Sequence, residues 1–182
     1  MQRIKCYEQG GGIPESDAAL QDLSKMFGGY VPNFHKVMAN SPATIAAFEK
    51  MRAALQKTKL RAVEREIVAL EVSRRSSCEY CIAAHTSFSR KFKVSEDDIA
   101  AVVGGTPMSD PRLALVQRAT QRIWDTRGRL SDAELAEFQQ AGLTIPEILE
   151  IVAVIGWYVW STLTNNLAGT EIDAFWDSKP AG

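Results

Sequence analysis

The sequence lacks an excess of either charge, a long apolar run and a large set of cysteines. Its 182 residues carry 21 Lys and Arg against 22 Asp and Glu, a formal net charge of −1. This balance gives no electrostatic reason to expect nucleic acid or an anionic membrane as a partner. The most apolar stretch, residues 151–160, is shorter than the ~20 residues that span a bilayer. We therefore expect a core or subunit-contact helix there and no membrane partner.

The opening segment also lacks the apolar core of a signal peptide. No run of the required length occurs in MQRIKCYEQGGGIPESDAAL. We therefore expect a cytoplasmic protein whose three cysteines are kept reduced. In a reducing compartment a disulfide is more often catalytic than structural.

Helix signals recur along the chain, and no segment shows convincing strand alternation. Capping residues or proline at the first helical position predict helix starts at Ser41, Ser95, Asp110, Ser131 and Thr144. Two further helices are expected at about 60–75 and 77–92. The sequence thus predicts an all-α single domain of about eight helices over residues 1–182, with its core at about 41–170. A weak echo between residues 60–99 and 131–173 is compatible with a duplicated helical unit and equally with chance.

The chemically informative segment is SSCEYCIAAH, residues 76–85. The spacing of Ser76 and Glu79 indicates a capping box, which would place Cys78 in the first turn of a helix. Cys78, Cys81 and His85 then project from one helix face. Because a helix N-terminus lowers the pKa of a nearby thiol, this placement favours Cys78 as the more acidic cysteine.

Two further expectations concern the reactivity of this segment. Cβ atoms three residues apart on a helix lie ~5–6 Å apart, whereas a disulfide prefers ~3.5–4.5 Å. A Cys78–Cys81 bond would therefore be somewhat strained and easily reduced. On the preceding helix, Glu66 lies at the border of the apolar stripe formed by Val63, Ile67 and Leu70. A carboxylate that faces the core needs a partner, and we expect Glu66 to act as a general base or to orient His85.

Glu66 followed by Cys78-x-x-Cys81-x-x-x-His85, within EREIVALEVSRRSSCEYCIAAHTSFSRK, resembles the alkylhydroperoxidase D-like group of the carboxymuconolactone decarboxylase-like fold. The resemblance implies an all-α fold, homo-oligomers (dimers, trimers or hexamers) and reduction of a hydroperoxide substrate with an external thiol reductant system. It implies that Cys81 attacks the peroxide, Cys78 resolves the sulfenic acid, and Glu66 and His85 relay protons. The helix-terminus argument favours Cys78 instead, so the attacking residue stays open. Tyr80 stands where some members carry another histidine.

Several alternatives remain at this stage. Cys78 and Cys81 could be buried structural thiols, or could form a zinc site with His85 and Glu66. The protein could be a non-catalytic redox sensor or oligomeric scaffold, or a carboxymuconolactone decarboxylase-like enzyme acting on another small molecule. Decarboxylation itself is disfavoured because such members lack the cysteine pair. No bound cofactor is required. Residues assigned no chemical role, as isolated or as core or subunit contacts, are Cys6, His35, Trp157, Tyr158 and Trp160.

Overall fold

The structure, a computed structural model, describes residues 2–176, and this part of the chain forms nine α-helices and no strand. The helices are α1 (Pro14–Met26), α2 (Asn33–Met38), α3 (Pro42–Leu55), α4 (Ala62–Arg75), α5 (Glu79–Lys91), α6 (Glu96–Gly104), α7 (Pro111–Thr126), α8 (Asp132–Gln140) and α9 (Ile145–Ala168). The predicted all-α fold class is confirmed. Only α1 and α2 precede the first helix start that the sequence indicated.

Side-chain oxygen atoms cap the starts of five helices. The side chains of Ser41, Ser95, Asp110, Ser131 and Thr144 each accept a hydrogen bond from a backbone N–H in the first turn. Each such cap typically stabilises its helix by ~1 kcal/mol. These are the starts expected from the sequence, and they were predictable because a cap is a local interaction.

Helix α4 lies at the centre of the fold and packs against α5, α6, α7 and α9. Its residues Ile67, Val68, Ala69 and Leu70 are fully buried. Four consecutive buried residues mean that neighbouring helices cover α4 on all sides. A side chain on α4 is therefore positioned by rigid surroundings, and this matters for Glu66.

Helix α9 is longer than the apolar stretch that marks it in the sequence. It runs over Ile145–Ala168, and by length and composition alone it could cross a membrane, as many core helices of soluble proteins could. One face of α9 packs into the core, where Ile151 and Val154 are fully buried. Helix α9 is therefore a core helix in this fold, and its inner face supplies one wall of the site described next.

Candidate active site

The turn between α4 and α5 places the two cysteines, and it differs from the capping box expected at Ser76 and Glu79. Helix α4 continues to Arg75, so Ser76 is its C-cap. Ser77 then adopts the left-handed conformation (φ 50°), which turns the chain before α5 begins. Cys78 is itself the N-cap of α5, with extended backbone angles. The expected capping box is therefore wrong, because Ser76 ends α4 and Cys78 takes the N-cap position of α5.

Cys78 and Cys81 are free thiols, and both are almost completely buried. The backbone N–H of Cys81 donates to Cys78 Sγ at 3.3 Å, so the thiol occupies the position of a capping oxygen. Hydrogen bonds from the Cys81 thiol and from this N–H hold the pKa of Cys78 below its ordinary value, although burial opposes them. Cys78 is thus the more acidic thiol of the pair, as the helix-terminus argument predicted.

Cys81 lies in a different environment. Burial raises the pKa of its thiol well above the ordinary value, and the adjacent Cys78 raises it further. Two residues of α9 oppose this shift: Asn165 Nδ2 donates to Cys81 Sγ at 3.3 Å, and the Ser161 hydroxyl lies 4.0 Å away. Cys81 therefore needs a base to take its proton at neutral pH, and Asn165 is placed to stabilise the resulting thiolate.

Glu66 and His85 form a direct pair beside Cys81. Glu66 Oε2 lies 2.7 Å from His85 Nδ1, and the side chains are only 14% and 12% exposed. The ring of Tyr158 packs edge-on against the imidazole, with centroids 4.7 Å apart. A carboxylate at Nδ1 fixes the orientation of the ring and leaves Nε2 to exchange a proton, since that nitrogen has no hydrogen-bond partner in the described structure.

The other two carboxylates of α4 are used differently. Glu64 accepts from Arg112 at 2.6 Å, and Glu71 accepts from Arg75 at 2.6 Å. Both side chains are almost completely buried and tie α4 to its surroundings through arginine. Glu66 differs because its partner is a histidine that can gain and lose a proton.

A cavity of about 400 Å³ opens beside these groups. Glu66, Cys81 and His85 line it, whereas Cys78 does not. Half of the other lining residues are Phe, Tyr or Trp: Phe27, Phe34, Phe48, Tyr80, Phe88, Phe92, Trp157, Tyr158 and Trp176. Cys81 is therefore the cysteine that a molecule in the cavity would meet. Of the residues assigned to core or subunit contacts, Trp157 and Tyr158 lie in the core and also form part of the cavity wall.

His35, which the sequence presented as isolated, also reaches this cavity. It belongs to the short helix α2, and its Nε2 lies 3.4 Å from Glu49 on α3. Hydrogen bonds and charge from His35 and Arg52 hold the pKa of Glu49 below its ordinary value despite the opposing effect of burial. No sequence signal links His35 to the cavity, because α2 and α3 meet α5 and α9 only in the tertiary fold. Cys6 contacts Gln2 and Asn33 and does not line the cavity.

Tyr80, between the two cysteines, has a structural role. Its hydroxyl donates to Asp173 at 2.6 Å and accepts from the backbone N–H of Phe34 at 3.2 Å. Burial and the charge of Asp173 raise the pKa of Tyr80 far above the ordinary value. Trp176 Nε1 also donates to Asp173, at 2.8 Å. Tyr80 thus fastens the segment after α9 against α2 and α5, and this segment brings Trp176 to the cavity.

The candidate site therefore consists of a dithiol at the start of one helix, with a Glu–His pair beside the cysteine that faces an aromatic cavity. Within residues 2–176, no three side chains of His, Cys, Asp or Glu are grouped so that they could hold a metal ion.

Residues 42–109 match the sequence model of the carboxymuconolactone decarboxylase family. This segment runs from α3 through α6 and contains Glu66, Cys78, Cys81 and His85. Over this segment the expected resemblance to the carboxymuconolactone decarboxylase family is confirmed. A search of curated proteins returns no match.

Solved structures share the fold over nearly the whole chain. The alkylhydroperoxidase AhpD core of an uncharacterized peroxidase-related protein from Ralstonia eutropha JMP134 aligns with a TM-score of 0.84 and 19% identity, over 96% of this chain and 94% of that one. An uncharacterized peroxidase-related protein from Silicibacter sp. TM1040 aligns with a TM-score of 0.78 and 20% identity, over 92% of this chain and 89% of that one. A cysteine-to-alanine variant of the debrominase Bmp8, in complex with 2,3,4-tribromopyrrole, aligns with a TM-score of 0.73 and 14% identity. The alignment covers 95% of this chain and 92% of that one. At these identities the likeness establishes the fold.

Proposed function

We propose that this protein is a thiol-dependent oxidoreductase that reduces hydroperoxides through a Cys78/Cys81 dithiol–disulfide cycle, with Glu66 and His85 as its proton relay. The observation that carries the proposal is the placement of the Cys81 thiol and the Glu66–His85 pair in one cavity wall. A thiol whose pKa is raised by burial lies there beside an imidazole that a carboxylate orients.

In the first step His85 takes the proton of the Cys81 thiol, directly or through one water, while Glu66 stabilises the imidazolium. The Cys81 thiolate attacks the terminal oxygen of the hydroperoxide, and the O–O bond breaks. Cys81 becomes a sulfenic acid, and the alkoxide leaves as an alcohol after taking the proton from His85. Asn165, which donates to Cys81 Sγ, supports the thiolate before the attack.

In the second step Cys78 attacks the sulfur of the Cys81 sulfenic acid, a disulfide forms, and the hydroxyl leaves as water. The lowered pKa of Cys78 suits attack on the sulfenic acid. Its position outside the cavity lining argues against attack on the hydroperoxide. As the N-cap, Cys78 has extended backbone angles, so the regular helix spacing from which strain was expected does not describe this pair. An external dithiol then reduces the bond. The proposal includes a cytoplasmic location, where such reductants are abundant.

The test measures consumption of an organic hydroperoxide, with a dithiol as reductant, by three variants that each lack one cysteine. Cys81→Ser should abolish turnover and form no sulfenic acid. Cys78→Ser should stop after one event and leave a sulfenic acid on Cys81 that dimedone traps. Cys6→Ser is the matched control and should turn over normally.

Three results would count against the proposal. Undiminished turnover in both Cys78→Ser and Cys81→Ser would refute the dithiol cycle. A dimedone adduct on Cys78 in Cys81→Ser would reverse the two roles. One disulfide per chain without reductant-driven cycling would favour a redox sensor instead.

A second candidate function is thiol-dependent removal of halogen from an aromatic ring. The aromatic lining of the cavity favours it, since flat apolar rings pack well against such walls. In this reaction the dithiol supplies two electrons, the carbon–halogen bond is replaced by carbon–hydrogen, halide leaves, and the disulfide forms. Release of bromide from a bromopyrrole, with no faster consumption of hydroperoxide than by free dithiol, would favour this function over the first.

A further inference from the structure

The cavity wall contains a cation, Arg65, that has no carboxylate partner in the described part of the chain. Arg65 lies near the start of α4, directly before Glu66, and both side chains line the cavity. The other two arginines of α4, Arg74 and Arg75, both bind Glu71. Arg65 donates instead to uncharged oxygen atoms. Its positive charge is therefore not neutralised by an ion pair within residues 2–176.

The other charged side chains of the cavity wall already have partners. Among the described lining residues, the Arg, Lys, Asp and Glu side chains are those of Arg52, Arg65 and Glu66. Arg52 donates to Glu49 at 2.6 Å, and Glu66 lies 2.7 Å from His85. A charge beside an apolar wall is costly unless an opposite charge compensates it. Arg65 therefore leaves the cavity with one positive charge that a bound molecule could balance.

The guanidinium of Arg65 is held in place on one side and has free donors on the other. Its Nη1 donates to the carbonyl of Leu60 at 2.5 Å and to the hydroxyl of Thr58 at 3.2 Å, in the loop between α3 and α4. Its Nε and Nη2 have no acceptor among residues 2–176. The N–H bonds of these two atoms run parallel along one edge of the planar group, and this edge matches the two oxygens of a carboxylate.

The charge of Arg65 also reaches the groups that carry the proposed chemistry. Burial raises the pKa of Tyr158 well above its ordinary value and the charge of Glu66 raises it further, whereas the charge of Arg65 opposes the shift. The ring of Tyr158 packs against the imidazole of His85, with centroids 4.7 Å apart. Arg65 therefore acts on the same part of the cavity that contains the proton relay.

We infer that Arg65 binds a carboxylate of the substrate, and that the substrate is an apolar hydroperoxide that carries an acid group. The hydroperoxide part of this inference rests on the proposed function, whereas the carboxylate site does not. A cavity of about 400 Å³ has the size of sites that enclose small organic ligands. Its aromatic side chains would pack against the apolar body, Arg65 would fix the acid group, and Cys81 would meet the hydroperoxide.

A phosphate monoester fits the same position less well than a carboxylate. It brings a charge of about −1.5 to −2 at neutral pH, and Arg65 alone supplies an unbalanced cation among the described lining residues. The second arginine of the wall, Arg52, is already bonded to Glu49. The excess negative charge would then lie against an apolar wall.

A binding measurement tests the carboxylate site without any chemistry. The probes are 4-isopropylbenzoate and its uncharged analogue 4-isopropylbenzamide, followed by the fluorescence of Trp157 and Trp176, which line the cavity. The reduced chain should bind the benzoate about tenfold more tightly, and Arg65→Gln should bring the two dissociation constants together. Arg61→Gln is the matched control and should keep the preference, since Arg61 pairs with Glu64 and does not line the cavity.

Three results would overturn the carboxylate site. The first is equal affinity of the unmodified chain for the two probes, which needs no variant to be stable. The second is a preference for the benzoate that Arg65→Gln retains. The third is tighter binding of 4-isopropylphenyl phosphate than of the benzoate. Binding of the benzamide shows in each variant that the cavity is intact.

Kinetics then separate this inference from the proposed function. The two substrates are cumene hydroperoxide and the same compound with a carboxylate in the para position. The carboxylated compound should have a kcat/KM about tenfold higher, mainly through a lower KM, and Arg65→Gln should remove this ratio. If neither compound is reduced but the benzoate preference depends on Arg65, the proposed function fails and the carboxylate site stands. If both are reduced equally well and the benzoate is not preferred, the carboxylate site fails and the proposed function stands.

Discussion

Replacement of Glu66 by Gln should separate two roles that the Glu66–His85 geometry allows. The amide keeps the shape of the carboxylate and can still accept from His85 Nδ1 through its carbonyl, but it cannot balance the charge of an imidazolium. A hydrogen bond to a charged group contributes about 1.5–3 kcal/mol and a neutral one about 0.5–1.5 kcal/mol, so the loss is about 1–2 kcal/mol. If Glu66 only orients and charges His85, disulfide formation should slow by about 5- to 30-fold.

A larger effect is expected if Glu66 itself accepts the proton. General acid–base catalysis typically contributes about 10²- to 10⁴-fold, and the variant would lose that contribution. The assay is single-turnover oxidation of the reduced protein by one hydroperoxide, followed by intrinsic fluorescence or quenched mass spectrometry and normalised to folded protein by circular dichroism. Glu15→Gln is the control, because Glu15 is an exposed carboxylate on α1 that does not line the cavity. A rate for Glu66→Gln that equals the Glu15→Gln rate would refute the assignment of Glu66 to the relay.

Two further predictions concern the surroundings of the thiols. Asn165→Leu removes the N–H that donates to Cys81 Sγ and should raise the pKa of that thiol further. Alkylation of Cys81 by iodoacetamide should then be about tenfold slower at neutral pH, and its rate should recover at high pH. The control is Asn166→Leu, since the Asn166 side chain donates to the Ser76 carbonyl and not to Cys81; this variant should leave the pH profile of alkylation unchanged. Tyr80→Phe deprives buried Asp173 of one donor and the Phe34 N–H of its acceptor. It should cost about 1–3 kcal/mol of unfolding free energy in urea titrations, and a variant as stable as the parent would show that Tyr80 is not a structural tether.

Five of the helices that the sequence predicts have local start signals. Ser41, Asp110, Ser131 and Thr144 begin helices because their own side chains bond the first turn. Helices α1 and α2 have no side-chain cap, although α1 does have a proline in its first turn. The same local logic failed at Ser76, where a cap pattern is present but Ser76 ends α4 and Cys78 caps α5.

In the candidate site, too, contacts between helices that are adjacent in the chain were predictable and long-range contacts were not. The closeness of Glu66 to His85 could be predicted, because a carboxylate at the border of an apolar stripe faces the next helix in the chain. The contribution of α9 could not, because Asn165 and Ser161 meet Cys81 across more than eighty residues of intervening chain. Nor does residue type reveal that Trp157 lies in both the core and the cavity wall, since an aromatic side chain fits either environment.

The central claim is that Cys78 and Cys81 form a reversible disulfide when a hydroperoxide is reduced. The most direct measurement is titration of the reduced Cys6→Ser protein with cumene hydroperoxide, with the alcohol quantified and the peptide that contains both cysteines analysed by mass spectrometry. We predict one alcohol and one Cys78–Cys81 disulfide per equivalent, and full recovery of both thiols with dithiothreitol over repeated cycles. Alcohol formation without that disulfide, or a disulfide that forms once and does not cycle, would contradict the account.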